Sequence, residues 1–72
     1  MTKNATKLYN YIHSAREVQS SRVNLAKDMK MEYWTFIDTV RELKALDLIE
    51  VVEYPLMYGD ISPVWRAKWK NN

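Results

Sequence analysis

Apolar residues recur along this chain first at helical spacing and then in alternation. Ala5, Leu8, Tyr9 and Ile12 stand at i, i+3, i+4 and i+7, which puts one stripe on a single helix face. The spacing predicts a first helix over about residues 3–16, with Thr2 or Asn4 placed to cap its start. Ser14 and the polar run from Glu17 to Ser21 end it. Val18 is the only apolar residue in that run and is a candidate for one short strand rung.

A second, short helix is expected over about residues 21–29. Ser20 or Ser21 can accept from its free backbone N–H groups, and Val23, Leu25, Ala26 and Met29 supply its buried side. A third helix runs from Glu32 to about Leu46, with Phe36, Val40 and Leu43 as its inner stripe. Met31 before the cap and Phe36 four residues after it suit a hydrophobic staple. Leu48 to Tyr54 then reads as a strand rich in β-branched residues. Val64 to Lys70 alternates more clearly: Trp65, Ala67 and Trp69 point one way, Arg66, Lys68 and Lys70 the other. Pro55 and Pro63 bracket the intervening loop, whose turn is expected at Tyr58-Gly59-Asp60. The order is helix, helix, helix, strand, loop, strand, an α+β arrangement in a single domain spanning residues 1–72.

Composition adds constraints. A chain of 72 residues buries a small core, and such domains usually draw on a staple or a partner. With no Cys, no disulfide is available, and His13 alone offers no metal site, so dimerisation is the expected source of extra burial. Hydrophobic residues at 47% and charged residues at 28% suit a folded globule. Uncharged stretches such as Tyr54 to Gly59 are far too short to span a bilayer, and the N-terminus lacks the apolar run of a signal peptide. The expectation is a cytoplasmic protein with no membrane partner.

Charge is unevenly spread. Residues 1–30 carry six bases and two acids, residues 31–64 two bases and seven acids, and residues 65–72 three bases, giving segments of +4, −5 and +3. Catalytic chemistry finds no foothold. Ser20 and Ser21 have no base to activate them, and Glu50 and Glu53 fall on opposite faces of a strand. A single Gly cannot build a phosphate-cradling loop. No cofactor is implied, and binding rather than catalysis is expected. Trp65 and Trp69 share a strand face and read as core, or as a stacking platform for single-stranded nucleic acid.

The stretch Leu25-Ala26-Lys27-Asp28-Met29-Lys30-Met31-Glu32 through Val40-Arg41-Glu42-Leu43-Lys44-Ala45-Leu46-Asp47-Leu48-Ile49-Glu50 resembles the winged helix-turn-helix family. Members often read Leu-Ala, a small turn, a β-branched residue, a recognition helix, then Leu-x-x-x-Gly-Leu-Ile. The resemblance covers about residues 18–70. It implies three helices followed by a two-stranded hairpin wing, with a third short strand near Val18. Two positions depart from it: Lys30 and Asp47 stand where the family often has Gly, at places that commonly need positive φ.

The resemblance implies a small transcriptional regulator, of the kind carried by phages, plasmids or other mobile elements, binding double-stranded DNA. Its third helix would enter the major groove and turn Tyr33, Trp34, Thr35, Asp38 and Arg41 toward bases. Arg22, Lys27 and Lys30 around helix 2, with Arg66, Lys68 and Lys70 on the last strand, would hold phosphates. Glu32 at the start of helix 3 would repel one. Blander readings stand beside these: Asp38 and Arg41 as a surface pair, Tyr33 leaning on the core, the bases as a solvated surface. The wing itself is unusual, because Leu56, Met57, Tyr58 and Ile61 are apolar and no base lies between Lys44 and Arg66. That favours an alternative, a protein-interaction domain that inhibits or adapts a transcription or replication protein through Trp34, Leu56, Met57 and Tyr58.

Overall fold

A computed structural model describes residues 1–68. Helix α1 spans Lys3–Ala15, strand β1 Glu17–Gln19, helix α2 Arg22–Asp28, helix α3 Tyr33–Ala45, strand β2 Ile49–Val52 and strand β3 Val64–Ala67, with a 3₁₀ turn at Leu56–Tyr58. Thr2 caps α1, its hydroxyl accepting from the Ala5 N–H at 3.1 Å, and Ser21 caps α2 by accepting from Asn24 at the same distance. Glu32 caps α3 with its carboxylate on the Thr35 N–H.

The ends of α2 and α3 are built alike. Met31 N–H reaches the Ala26 carbonyl and Lys30 N–H the Lys27 carbonyl. Leu48 and Asp47 repeat this on Leu43 and Lys44. Both are Schellman closures, whose C′ residue must be left-handed. Lys30 has φ 57° and Asp47 φ 59°, so both are left-handed. Met31 and Leu48, one residue further on, pack against the core and complete each motif. Arg16, at φ 66°, is a third left-handed residue, which the sequence pattern did not mark.

The three strands form one antiparallel sheet in the order β1-β3-β2. The Val18 rung is thus part of a full strand, and β3 lies in the middle rather than at an edge. Trp65 stands opposite Val18 on one side and Val51 on the other. Its indole is fully buried, meets Phe36 of α3 edge to face at 5.7 Å, and donates from Nε1 to the Ser20 carbonyl at 2.9 Å. Around this pair close Ala5, Leu8 and Ile12 of α1, Leu25, Ala26 and Met29 from the α2 segment, Val40 and Leu43 of α3, and Ile49.

Four expectations need correction. Val23 is half exposed instead of lining the core, because Leu25, Ala26 and Met29 already fill the short helix's inner side. The strand expected over Leu48–Tyr54 is only Ile49–Val52, since Leu48 is spent on closing α3. The loop turns earlier than Tyr58-Gly59-Asp60: Tyr58 N–H reaches back to Pro55, and Gly59 follows at φ 90°. Thr39, not counted in the α3 stripe, is buried and donates its hydroxyl to the Thr35 carbonyl at 2.7 Å. Trp69 and Lys70 lie outside the described residues.

Two substitutions test this packing. Trp65→Phe keeps an aromatic on Phe36 but leaves the Ser20 carbonyl without its donor, so urea unfolding should lose about 1–3 kcal/mol. A change under half that would show the bond to be replaceable by water. Lys30→Gly should gain about 0.5–1 kcal/mol by relieving the left-handed backbone, and a loss would contradict the Schellman geometry.

Candidate functional site

The side of α3 turned away from Phe36, Val40 and Leu43 is open. Trp34 is 67% exposed, and Thr35, Asp38, Arg41 and Ala45 are exposed with it. Tyr33 is half-buried and meets Trp34 edge to face at 5.2 Å. The Thr35 hydroxyl donates to the Glu32 cap at 3.3 Å. Asp38 and Arg41 form an exposed ion pair at 3.8 Å. In water such a pair contributes a few tenths of a kcal/mol and opens readily. The five residues expected to face a partner therefore share one helix segment, with four of them freely accessible.

The expected backbone-contacting bases divide into two groups. Arg22 is paired with Glu53 and lies 5.8 Å from the centre of the Trp65 ring. Arg66 sits between Glu17 at 2.6 Å and Glu50 at 3.8 Å. Lys68 reaches Asp47 at 2.6 Å. Glu17 holds the Arg66 guanidinium above its ordinary pKa, and Asp47 does the same for the Lys68 ammonium. Lys27 and Lys30 are exposed and make no ion pair among the described residues. Lys7 stands near them, its ammonium donating to the Met29 carbonyl at the end of α2 at 2.7 Å. Lys70 lies outside the described residues.

Two carboxylates turn out to be structural. Glu32 accepts from the backbone N–H groups of Trp34 and then Thr35, which lowers its pKa and favours its charged form at the α3 N-terminus. Glu42 accepts from the Thr2 N–H and hydroxyl, both at 2.9 Å, and latches the start of α1 to α3. These bonds, backbone first, lower its pKa as well. Residues 2 and 42 are 40 positions apart, so no local pattern signals the contact. The partners of Arg22, Arg66 and Lys68 were missed for the same reason. Strand register sets Arg66 opposite both Glu17 and Glu50, and tertiary packing brings Arg22 to Glu53 and Lys68 to Asp47.

The loop between β2 and β3 exposes Tyr54, Met57, Tyr58 and Ile61, with Met57 at 83%. Among the described residues no helix is long and apolar enough to cross a membrane. No protein-family model, curated protein or solved structure matches the chain.

The Glu42 latch has a pH signature. A carboxylate with a lowered native pKa adds stability above its ordinary value of 4.5 and loses it as pH falls through the native value. Between about pH 6 and about pH 3 the melting temperature should therefore fall further in the parent protein than in Glu42→Gln. Equal falls would remove the latch from the account.

Proposed function

We propose that this chain is a winged helix-turn-helix domain that binds double-stranded DNA, with α3 laid in the major groove, and that it works as a small non-enzymatic transcriptional regulator. The observation that carries this reading is the open outer face of α3. The other side of the helix is fully used in packing, and Trp34, Thr35, Asp38 and Arg41 remain available along one accessible side. Support also comes from the order of the elements and from the two Schellman closures, at the positions where the resembling family often places glycine. In a groove, Arg41 is suited to the O6 and N7 acceptors of guanine, Asp38 to the cytosine amino group, and Thr35 to a thymine methyl. The pair they form in free protein is weak enough to exchange for such contacts.

One observation favours a second reading. Trp34 and the loop residues Met57 and Tyr58 expose large apolar surface, and exposed aromatics often anchor protein interfaces. A domain that docks on another transcription or replication protein would use them, and duplex binding separates the two readings.

Fluorescence anisotropy of a labelled random-sequence duplex, titrated at about 50 mM and about 200 mM salt, should show binding that weakens steeply with salt. Absence of binding at the lower salt would sink the DNA reading in favour of the protein partner. Trp34→Ala should weaken duplex binding by about tenfold, or ~1.4 kcal/mol, with its thermal melt unchanged. A marked fall in melting temperature would instead make Trp34 part of the packing.

A further inference from the structure

The sheet carries Arg66, Lys68 directly follows its middle strand, and Arg22 leans on its central tryptophan, so by count this is a basic surface. By arrangement it is not. These three bases face four carboxylates: Glu53 on Arg22, Glu17 and Glu50 on Arg66, and Asp47 on Lys68. Among the described residues the balance of this group is one negative charge. A phosphate approaching Arg66 meets two carboxylates around one guanidinium, and displacing either leaves the other in place. The α2–α3 turn differs in kind. Lys7, Lys27 and Lys30 lie at the end of α2 with two acids close in sequence, Asp28 and the α3 cap Glu32, so the bases outnumber the acids there by one.

We infer that the sheet side of this protein is closed to polyanions by its own carboxylates, so that phosphates are gripped at the α2–α3 turn by Lys27 and Lys30 and not by the strand bases Arg66 and Lys68. This rests on the DNA-binding reading and departs from the expectation that the strand bases join the grip. The chemical partner is a phosphodiester backbone running past the turn that precedes α3. The loop between β2 and β3 then contributes no electrostatic hold, in keeping with its apolar exposed residues and its charges, the two acids Glu53 and Asp60 with no base. Lys30 would combine two roles, closing the α2 helix at φ 57° and presenting its ammonium at the turn.

Counterion release makes this measurable. Each phosphate neutralised contributes about 0.9 to the slope of log K against log salt. The parent, Lys27→Gln/Lys30→Gln and Arg66→Gln/Lys68→Gln are titrated against one random-sequence duplex over a range of salt. The expected result is a slope shallower by about 1.8 in the α2 double variant and unchanged in the strand double variant. Glu53→Gln, which frees Arg22, should steepen the slope by about 0.9. That gain of binding cannot come from a failure to fold. Equal losses in the two double variants, a loss confined to the strand variant, no loss in either, or no gain in Glu53→Gln would each overturn the inference. Absence of duplex binding by the parent itself would instead overturn the reading beneath it.

Discussion

The contact between Trp65 and Phe36 joins the two halves of this molecule. Trp65 sits at the centre of the middle strand, so one side chain ties β1, β2 and α3 together. Its N–H fixes the Ser20 carbonyl, one residue before the cap of α2, and Arg22 rests near its ring. The entry of α2 and the seat of α3 thus depend on a single indole. A domain of about this size buries only around 60% of the surface its unfolded chain exposes. Without disulfides, a large aromatic buried at the junction of helices and sheet supplies apolar area that aliphatic residues of the same number could not.

The helices were legible because their signals are local. The stripe Ala5, Leu8, Ile12 and the stripe Phe36, Val40, Leu43 follow helical spacing, and Thr2 and Ser21 cap where short hydroxyl side chains should. Lys30 and Asp47 were legible only through a resemblance that marked both positions for positive φ, and a Schellman closure demands a left-handed residue whatever its side chain. The exposure of Trp34, Asp38 and Arg41 followed from the inner stripe by subtraction. What escaped was everything set by register or by distance along the chain: β3 as the middle strand, the Thr2–Glu42 latch, and the acids beside Arg22, Arg66 and Lys68. Val23 was misplaced because only Leu25 and Ala26 of the seven-residue α2 are needed for the core.

Segment charges accordingly mislead. The +3 of the tail and the −5 of the middle look like separate basic and acidic regions in sequence, yet β3 pairs with β1 and β2, and the opposite charges meet on the sheet. Exposed ion pairs of this kind add little to stability, about 0–1 kcal/mol each. In the proposed reading their larger consequence is for binding, because a neutralised sheet leaves the helical side as the positive one. The outer face of α3 is close to neutral, with one Asp–Arg pair and an exposed indole, which suits a surface that discriminates more than it attracts. In the proposed reading, attraction comes from the turn before α3 and choice from α3 itself.

The most direct measurement of that division of labour is a nitrogen-15 amide NMR titration of the protein with a short duplex. The account predicts shifts concentrated at Lys27 to Glu32 and along the outer face of α3, at Trp34, Thr35, Asp38 and Arg41, with the loop from Tyr54 to Ile61 and the outer positions Glu50 and Arg66 little changed. Shifts confined to that loop and to the sheet, with α3 silent, would contradict it.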